Sequence, residues 1–368
     1  VTEMRTGIDI VEEQIRIARG KELPTPNSQL PTPQGHAIEL RVCAEDPEND
    51  FLPTPGKVTA YHEPQVRGTR VDSSIDGPCT VSEAYDPMIA KLICHAKDRQ
   101  AAIETARQAL NQFIIQGLTT NKAYLWEVIK NQDFLDNHID TSFCDTRRET
   151  LLTALKDSRN ILYINDITAS FLVYDFFKKR FSNATENVWE EIGYWRYHSQ
   201  FNVDVEGQLL PVHISKAGTK KIEGDINTKP FTVELLSHCD QQLKIMLNGR
   251  NEVIYCSVND EQKTIVNFHG LNFTCYRTDQ LNETLDYSQG TIVNDKTLLV
   301  SPMPGKVVKI NVKVGDKVSA GTVMIVVEAM KMENNITATT DATVKRILVT
   351  ENEMVNNKKQ LIELEDRR

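Results

Sequence analysis

The sequence predicts a multidomain chain with three folded parts: an α+β lobe over residues 1–148, an antiparallel β-barrel with a helix over 152–290, and a flattened all-β barrel over 297–366. Three observations carry that prediction. At an offset of 37, Ile310, Val312, Val318, Met324, Ile325, Val327 and Glu328 face Ile347, Val349, Val355, Leu361, Ile362, Leu364 and Glu365, and Gly315-Asp316 faces Asn352-Glu353. Two copies of one strand pattern imply two interlocked half-motifs about a pseudo-twofold axis. Upstream, Phe171-Leu172-Val173-Tyr174-Asp175-Phe176-Phe177 is apolar on nearly every side of a helix, so something must wrap it, and strand-like runs follow it. The leading block mixes one long amphipathic helix with short strands and Pro/Gly turns.

In chain order, Thr6-x-x-Asp9 reads as a capping box for a helix through Ile8, Val11, Ile15 and Ala18 that Gly20 stops. The Pro-rich stretch from Pro24 to Pro33 is a connector. His36 to Val42 alternates at period two, placing Ile38, Leu40 and Val42 on one face of a strand and Glu39 and Arg41 on the other. Asp46-Pro47, Pro53-Thr54-Pro55-Gly56 and Asp76-Gly77-Pro78 mark turns. A helix from about Asp98 carries Ile103, Ala106, Leu110, Phe113 and Ile114 on one face and stops at Gly117; a shorter one runs through Leu125, Val128 and Ile129. Strands are predicted near 209–215, 230–237, 242–248, 252–258, 263–268 and 271–277, with a hairpin at Asn248-Gly249. Residues 279–297 are polar and turn-rich, suited to a linker.

The 368 residues suffice for two or three domains of roughly 100–200 residues each. A net charge of −9 with no lysine- or arginine-dense block argues against nucleic acid or an anionic membrane as the main partner. No apolar run approaches the length of about 18 residues needed to span a bilayer as a helix. The seven cysteines are scattered, odd in number and without C-x-x-C, which fits free thiols in a reducing compartment. The eight histidines show no metal-binding spacing, and no structural metal is expected.

Lys331 lies in the connection between the two repeats, within Glu328-Ala329-Met330-Lys331-Met332-Glu333. A lone lysine on a hairpin is ordinarily a solvated surface residue. Here the A-M-K-M pattern, bracketed by the repeat, resembles the biotinylation site of a biotin carboxyl carrier domain. The resemblance implies covalent biotin on Lys331, attached by a biotin protein ligase that uses the deprotonated amine as nucleophile. Met330 and Met332 either mould to a ligase or carboxylase pocket or simply pack the hairpin; both readings stand. Pro302-Met303-Pro304-Gly305 reads as structural support beside the hairpin.

The first block resembles the C-terminal portion of biotin carboxylase. The resemblance rests on Val1-Thr2-Glu3 with Thr6-Gly7-x-Asp9, Gly35-His36-Ala37-x-Glu39-x-Arg41, Ala44-Glu45-Asp46-Pro47, Phe51-x-Pro53-x-Pro55-Gly56 and Tyr85-Asp86-x-Met88-Ile89-x-Lys91-Leu92. It implies that Arg41 lies at the biotin and bicarbonate end of a carboxylation site, where a fixed planar cation stabilises the biotin enolate. Without the flanking pattern, Arg41 would read as a surface ion pair; Glu39 either orients its guanidinium or is structural. The family also implies self-association of the lobe through Arg16, Arg19, Arg70 and Asp86, whose alternative is a solvated helix face or strand edge. ATP and Mg2+ or Mn2+ belong to the full-length subunit: the family's ATP-binding domain lies upstream of the V-T-E motif, and no Gly-rich phosphate loop is found here. The chain is therefore expected to be the C-terminal part of a longer subunit, not competent alone for the ATP step.

Together the two resemblances imply the α-subunit of a biotin-dependent acyl-CoA carboxylase, a ligase forming C–C bonds. Such a subunit carries carboxybiotin from the carboxylase site to a separate carboxyltransferase β-subunit in a hetero-oligomer. The middle block would mediate that partnership through exposed aromatics such as Tyr194 and Trp195. Gly193-Tyr194-Trp195-Arg196 leans toward the 3-methylcrotonyl-CoA enzymes of leucine degradation; propionyl-CoA or acetyl-CoA enzymes, a pyruvate carboxylase-like protein and a lipoyl-type carrier remain alternatives. The expected location is bacterial cytoplasm, or alternatively the mitochondrial matrix.

Overall fold

In the computed structural model, residues 1–22, 32–159, 163–181, 200–279, 298–330, 332–356 and 359–366 are described. The α+β lobe opens with helices α1 (Thr2–Thr6) and α2 (Ile10–Ala18). The cap of α2 is Asp9, whose Oδ1 accepts from the Glu12 amide at 2.9 Å. Thr6 instead ends α1, its hydroxyl donating to the Thr2 carbonyl at 2.8 Å, so the expected capping box does not form. Strands β1 (His36–Cys43), β2 (Glu45–Asp46), β3 (Leu52–Pro53), β4 (Gly56–Val58), β5 (Ala60–His62), β6 (Thr69–Ser73), β7 (Cys79–Val81) and β8 (Met88–Ala96) follow. The order β1-β8-β6 makes the main sheet, all antiparallel. Ile38, Leu40 and Val42 face inward from β1, as the alternation requires.

Helix α3 (Arg99–Gln112), capped by Asp98, lays Ala102, Ile103, Ala106, Ala109 and Leu110 on that sheet. It stops at Phe113, earlier than expected, because Ile114 and Ile115 enter strand β9 (Ile114–Gln116) and pair with β5. Helices α4 (Lys122–Lys130), α5 (Gln132–Leu135), α6 (Phe143–Thr146) and α7 (Arg148–Arg159) close the lobe. Leu151 and Leu155 of α7 pack with Tyr124, Val128 and Phe143.

Helix α8 (Ile164–Phe181) leads to eight strands in a closed antiparallel meander: β10 (Gln200–Val205), β11 (Gln208–Ala217), β12 (Lys221–Ile226), β13 (Lys229–Cys239), β14 (Gln242–Leu247), β15 (Arg250–Val258), β16 (Thr264–Phe268) and β17 (Leu271–Arg277). Closure comes from β10 pairing with β17. Six of these runs are those expected; β10 and β12 complete the ring. Phe171, Leu172, Val173, Phe176 and Phe177 share one core with the inward residues of the strands, so the helix fills the barrel. Arg277 adds a buried ion pair to Asp175 of that helix at 3.4 Å.

The barrel sits on the lobe through polar contacts. The fully buried Gln116 donates from Nε2 to the Tyr255 and Ile265 carbonyls at 3.1 and 3.3 Å. In return, Gln241 donates to the Thr59 carbonyl and Asn272 to the Ile115 carbonyl, both at 2.7 Å.

The C-terminal part comprises β18 (Leu298–Val300), β19 (Gly305–Ile310), β20 (Lys317–Val318), β21 (Val323–Ala329), β22 (Met332–Thr337), β23 (Ala342–Ile347), β24 (Met354–Val355) and β25 (Gln360–Asp366). They form two four-stranded sheets, β18-β25-β23-β20 and β22-β21-β19-β24. Strands β19, β20 and β21 recur 37 residues later as β23, β24 and β25. The copies exchange strands, β19 pairing with β24 and β20 with β23. The matched turns share left-handed backbone at Gly315 and Asn352 (φ 93° and 72°). Each is closed by a carboxylate one residue on: Asp316 accepts from the Lys313 amide, and Glu353 from that of Thr350. All seven cysteines are free.

Lys122 is a charge-bearing side chain inside the lobe core. Its Nζ donates to the Phe113 carbonyl at 2.5 Å, and burial lowers its pKa from 10.5 to about 7. The unfolded chain then binds the extra proton between about pH 7 and 10.5, so folding stability rises with pH across that window. Lys122→Met, which has no such proton, should lack this rise. Urea denaturation at pH 7 and pH 10 checks it: the wild type should gain stability relative to the variant at the higher pH, and an unchanged difference would show that Lys122 stays charged when folded.

Candidate functional site

Two places hold the residues that the sequence singles out. The first is the hairpin of β21 and β22. Ala329 pairs with Met332, which leaves Met330 and Lys331 as the whole connection. Lys331 and the Met332 side chain lie outside the described residues. Met330 holds the left-handed conformation (φ 48°) that tight hairpin turns require. Behind the turn, Gly305 presses on β21: a Cβ there would stand 2.6 Å from the Glu328 carbonyl and 2.9 Å from a Val327 methyl. That contact is why the Pro302-Met303-Pro304-Gly305 entry ends in glycine. Ser301 closes the entry by donating to the Met303 carbonyl at 2.6 Å, with the Met303 side chain buried. The arrangement fits a covalently extended lysine: a two-residue connection, register-locked on both sides and backed by a close strand–strand approach.

The second place is the end of β1. Arg41 is 68% exposed at its side chain and pairs loosely with Glu39, Nε to Oε1 at 3.5 Å. Its backbone is held far more firmly. The strand register shifts between Val42 and Cys43, and there Asn121 binds both sides of the irregularity. Asn121 Nδ2 donates to the Arg41 carbonyl at 3.1 Å, Oδ1 accepts from the Cys43 amide at 3.0 Å, and its own amide donates to the Cys43 carbonyl at 3.1 Å. Sequence reasoning missed Asn121. An asparagine just before α4 reads as a helix cap, yet its side chain makes no cap bond. Carboxylates gather close by: burial first, then Glu45 and Asp86, push the Cys43 thiol up to about 12, while Arg41 opposes them. Glu45 is itself raised by burial and by Asp86. The raised pKa keeps the Cys43 thiol protonated near neutral pH, while the Arg41 guanidinium stays exposed at the same end of the strand.

Of the residues assigned to an interface, Arg16 is paired within α2 to Glu12 at 3.0 Å and Glu13 at 3.8 Å. Arg70 binds Glu3 and Asp72, tying α1 to β6. Arg19, at the end of α2, is exposed, as is Asp86, whose Oδ1 accepts from the Met88 amide at 3.1 Å. Along α2, Ile10, Val11, Ile15 and Ile17 are also exposed. Tyr194 and Trp195 lie outside the described residues. Among the described residues, no three His, Cys, Asp or Glu side chains group as metal ligands, and no helix is long and apolar enough to cross a membrane.

Comparison with known proteins matches these two places separately. Residues 39–146 match the biotin carboxylase C-terminal domain, and residues 297–364 match the biotin-requiring enzyme domain. The α-subunit of mitochondrial methylcrotonoyl-CoA carboxylase from Dictyostelium discoideum is 31% identical over 377 residues, covering 98% of this chain and 53% of that protein. The human mitochondrial propionyl-CoA carboxylase α chain is 33% identical over 383 residues, covering 99% and 51%. Among solved structures, the biotin carboxylase domain of a thermophilic 2-oxoglutarate carboxylase is 35% identical with a TM-score of 0.40, covering 41% of this chain and 34% of that one. The chain spans about half the length of the curated relatives it matches. It carries a biotin carboxylase C-terminal domain and a biotin-type carrier domain, with biotin as the carrier's cofactor, and its homologues along nearly its whole length are α-subunits of biotin-dependent acyl-CoA carboxylases.

Proposed function

We propose that this chain works in the biotin-containing subunit of an acyl-CoA carboxylase, with biotin on Lys331 and Arg41 at the carboxylation site. The observation that carries the reading is the co-occurrence, in one chain, of the interlocked carrier with its two-residue Met330-Lys331 connection and the lobe with its clamped Arg41 strand. Biotin supplies a ureido nitrogen that takes up and gives back a carboxyl group. The chain's own contributions are reach, through the Lys331 stem, and a fixed cation, through Arg41. ATP and Mg2+ or Mn2+ enter this proposal as requirements of the whole enzyme. Expressed with biotin ligase, the protein should gain one biotin mass and Lys331→Arg none; label on Lys309, Lys313 or Lys317 instead would overturn the assignment.

Arg41 is 68% exposed and pairs only loosely with Glu39, which supports assigning it to chemistry and not to stability. Within the full-length subunit, Arg41→Ala should lower biotin-dependent ATP turnover about 100–1000-fold, the typical effect of losing one donor from a preorganised oxyanion site. Its melting temperature should stay near that of the wild type. Near-normal turnover would return Arg41 to an ordinary surface pair.

The barrel is proposed to dock a carboxyltransferase β-subunit. Its interior is filled by α8, which leaves its outside as the surface it can offer. The proposed substrate is 3-methylcrotonyl-CoA, supported by the Gly193-Tyr194-Trp195-Arg196 pattern and the Dictyostelium relative. Propionyl-CoA is the second reading, favoured by the 33% identity to the human chain. The proposed location is the bacterial cytoplasm or the mitochondrial matrix; both named relatives are mitochondrial. A panel of acyl-CoAs offered to the full-length subunit with its co-purifying partner decides between them: 3-methylcrotonyl-CoA should give the highest kcat/KM, and a higher value for propionyl-CoA would replace the proposal.

A further inference from the structure

We propose that the loop Ser82–Asp86 of the lobe, together with Leu52, is a built seat for the carrier hairpin, gripping it by its backbone. Three observations meet there. The Met330 amide donates to the Glu83 carbonyl at 2.9 Å, joining hairpin to lobe. The Met330 side chain is only 2% exposed, although it is not among the side chains that make up the carrier core. Leu52, from β3 of the lobe, packs against that same carrier core.

The chemistry of a tight hairpin explains the first contact. With Ala329 paired to Met332 and Met330 left-handed, the Met330 amide has no acceptor inside its own hairpin. A buried backbone donor needs a partner, and the lobe provides one. Because the acceptor is also main chain, the seat recognises the shape of the turn whatever side chain stands at position 83. The loop is itself fixed. Ser82 Oγ accepts from the Ala84 amide and Asp86 Oδ1 from the Met88 amide, both at 3.1 Å, and the Pro87 carbonyl accepts from Ala44 at 2.8 Å. It leads into β8, where Met88 pairs with Cys43, two residues beyond Arg41. A hairpin on this seat is therefore held at the Arg41 end of the sheet.

The inference rests on the carrier reading given above, and the test separates the two. A photo-crosslinking p-benzoylphenylalanine placed at Glu83 leaves the backbone carbonyl intact. In the 368-residue chain, irradiation should join position 83 to the hairpin within 323–337, in the same chain. The probe placed at Leu52 in a second protein should also join to the carrier. Leu52→Glu, which sets a charge against the carrier core, should lower the yield from position 83 about tenfold, equivalent to about 1.4 kcal/mol of docking. Biotinylation by the ligase should be unchanged. Crosslinks confined to the lobe or formed only between chains, or a yield indifferent to Leu52→Glu, would overturn the seat. Intact crosslinks in a protein that takes no biotin would instead overturn the carrier reading and leave the seat standing.

Discussion

A two-residue connection presents a lysine at a fixed place only if neither flanking strand can slip. In the carrier that constraint is met by interlocking. Strand β19 pairs with β21 of its own copy and with β24 of the other, while β20 pairs with β23 across the copies. Slipping the hairpin by one residue would turn Ile325, Val327 and Ala329 out of a core shared with Leu361, Ile362 and Leu364, and would strip apolar area on both copies at once. Fully burying one such side chain is worth about 1.5–3 kcal/mol. The register is thus set by the whole carrier, and Gly305 against the Glu328 carbonyl shows how closely the strands approach behind the turn.

The barrel is ordered by a related requirement. The Phe171–Phe177 segment of helix α8 is apolar on nearly every side, so the eight strands close on it and Phe171, Phe176 and Phe177 become part of their core. Between lobe and barrel, side-chain amides and hydroxyls make much of the contact. Gln116, Gln241, Asn272 and the Thr59–Ser257 hydroxyl pair at 2.7 Å satisfy groups that the two surfaces bury when they meet.

Much of this was legible in the sequence because it is periodic. The offset of 37 reproduces in β19–β21 against β23–β25, and the alternation of His36 to Val42 gives the buried face of β1. The misses have local causes. Strand β12, absent from the expected runs, contains Gly224; in the barrel its missing side chain admits the His213 carbonyl, 2.1 Å from where a Cβ would stand. Helix α3 was read too long because Phe113 and Ile114 continue its apolar spacing, whereas pairing with β5 draws Ile114 into a strand. Thr6 and Asp9 both suit a helix start, and only the short α1 ending at Thr6 leaves Asp9 as the cap. At the site, Arg41 and Lys331 were visible as motif residues. Asn121 and the Glu83 carbonyl were not, since one acts 80 positions away and the other through main chain that every residue shares.

That difference reflects how the chemistry is supported. Arg41 sits at the surface, where a side chain has rotamer freedom and solvent screens its charge. What the fold controls there is the backbone: Asn121 holds both sides of the irregularity in β1, Gly305 lets β19 close on β21, and the Glu83 carbonyl takes the Met330 amide. A guanidinium on a fixed Cα still samples several positions, but all lie within one side chain's reach of the same point. A long tether on a fixed turn likewise sweeps a bounded volume. Under the proposed function, fixing the two anchor points, and not the side chains they bear, is what would let the reactive groups meet while each remains free to leave.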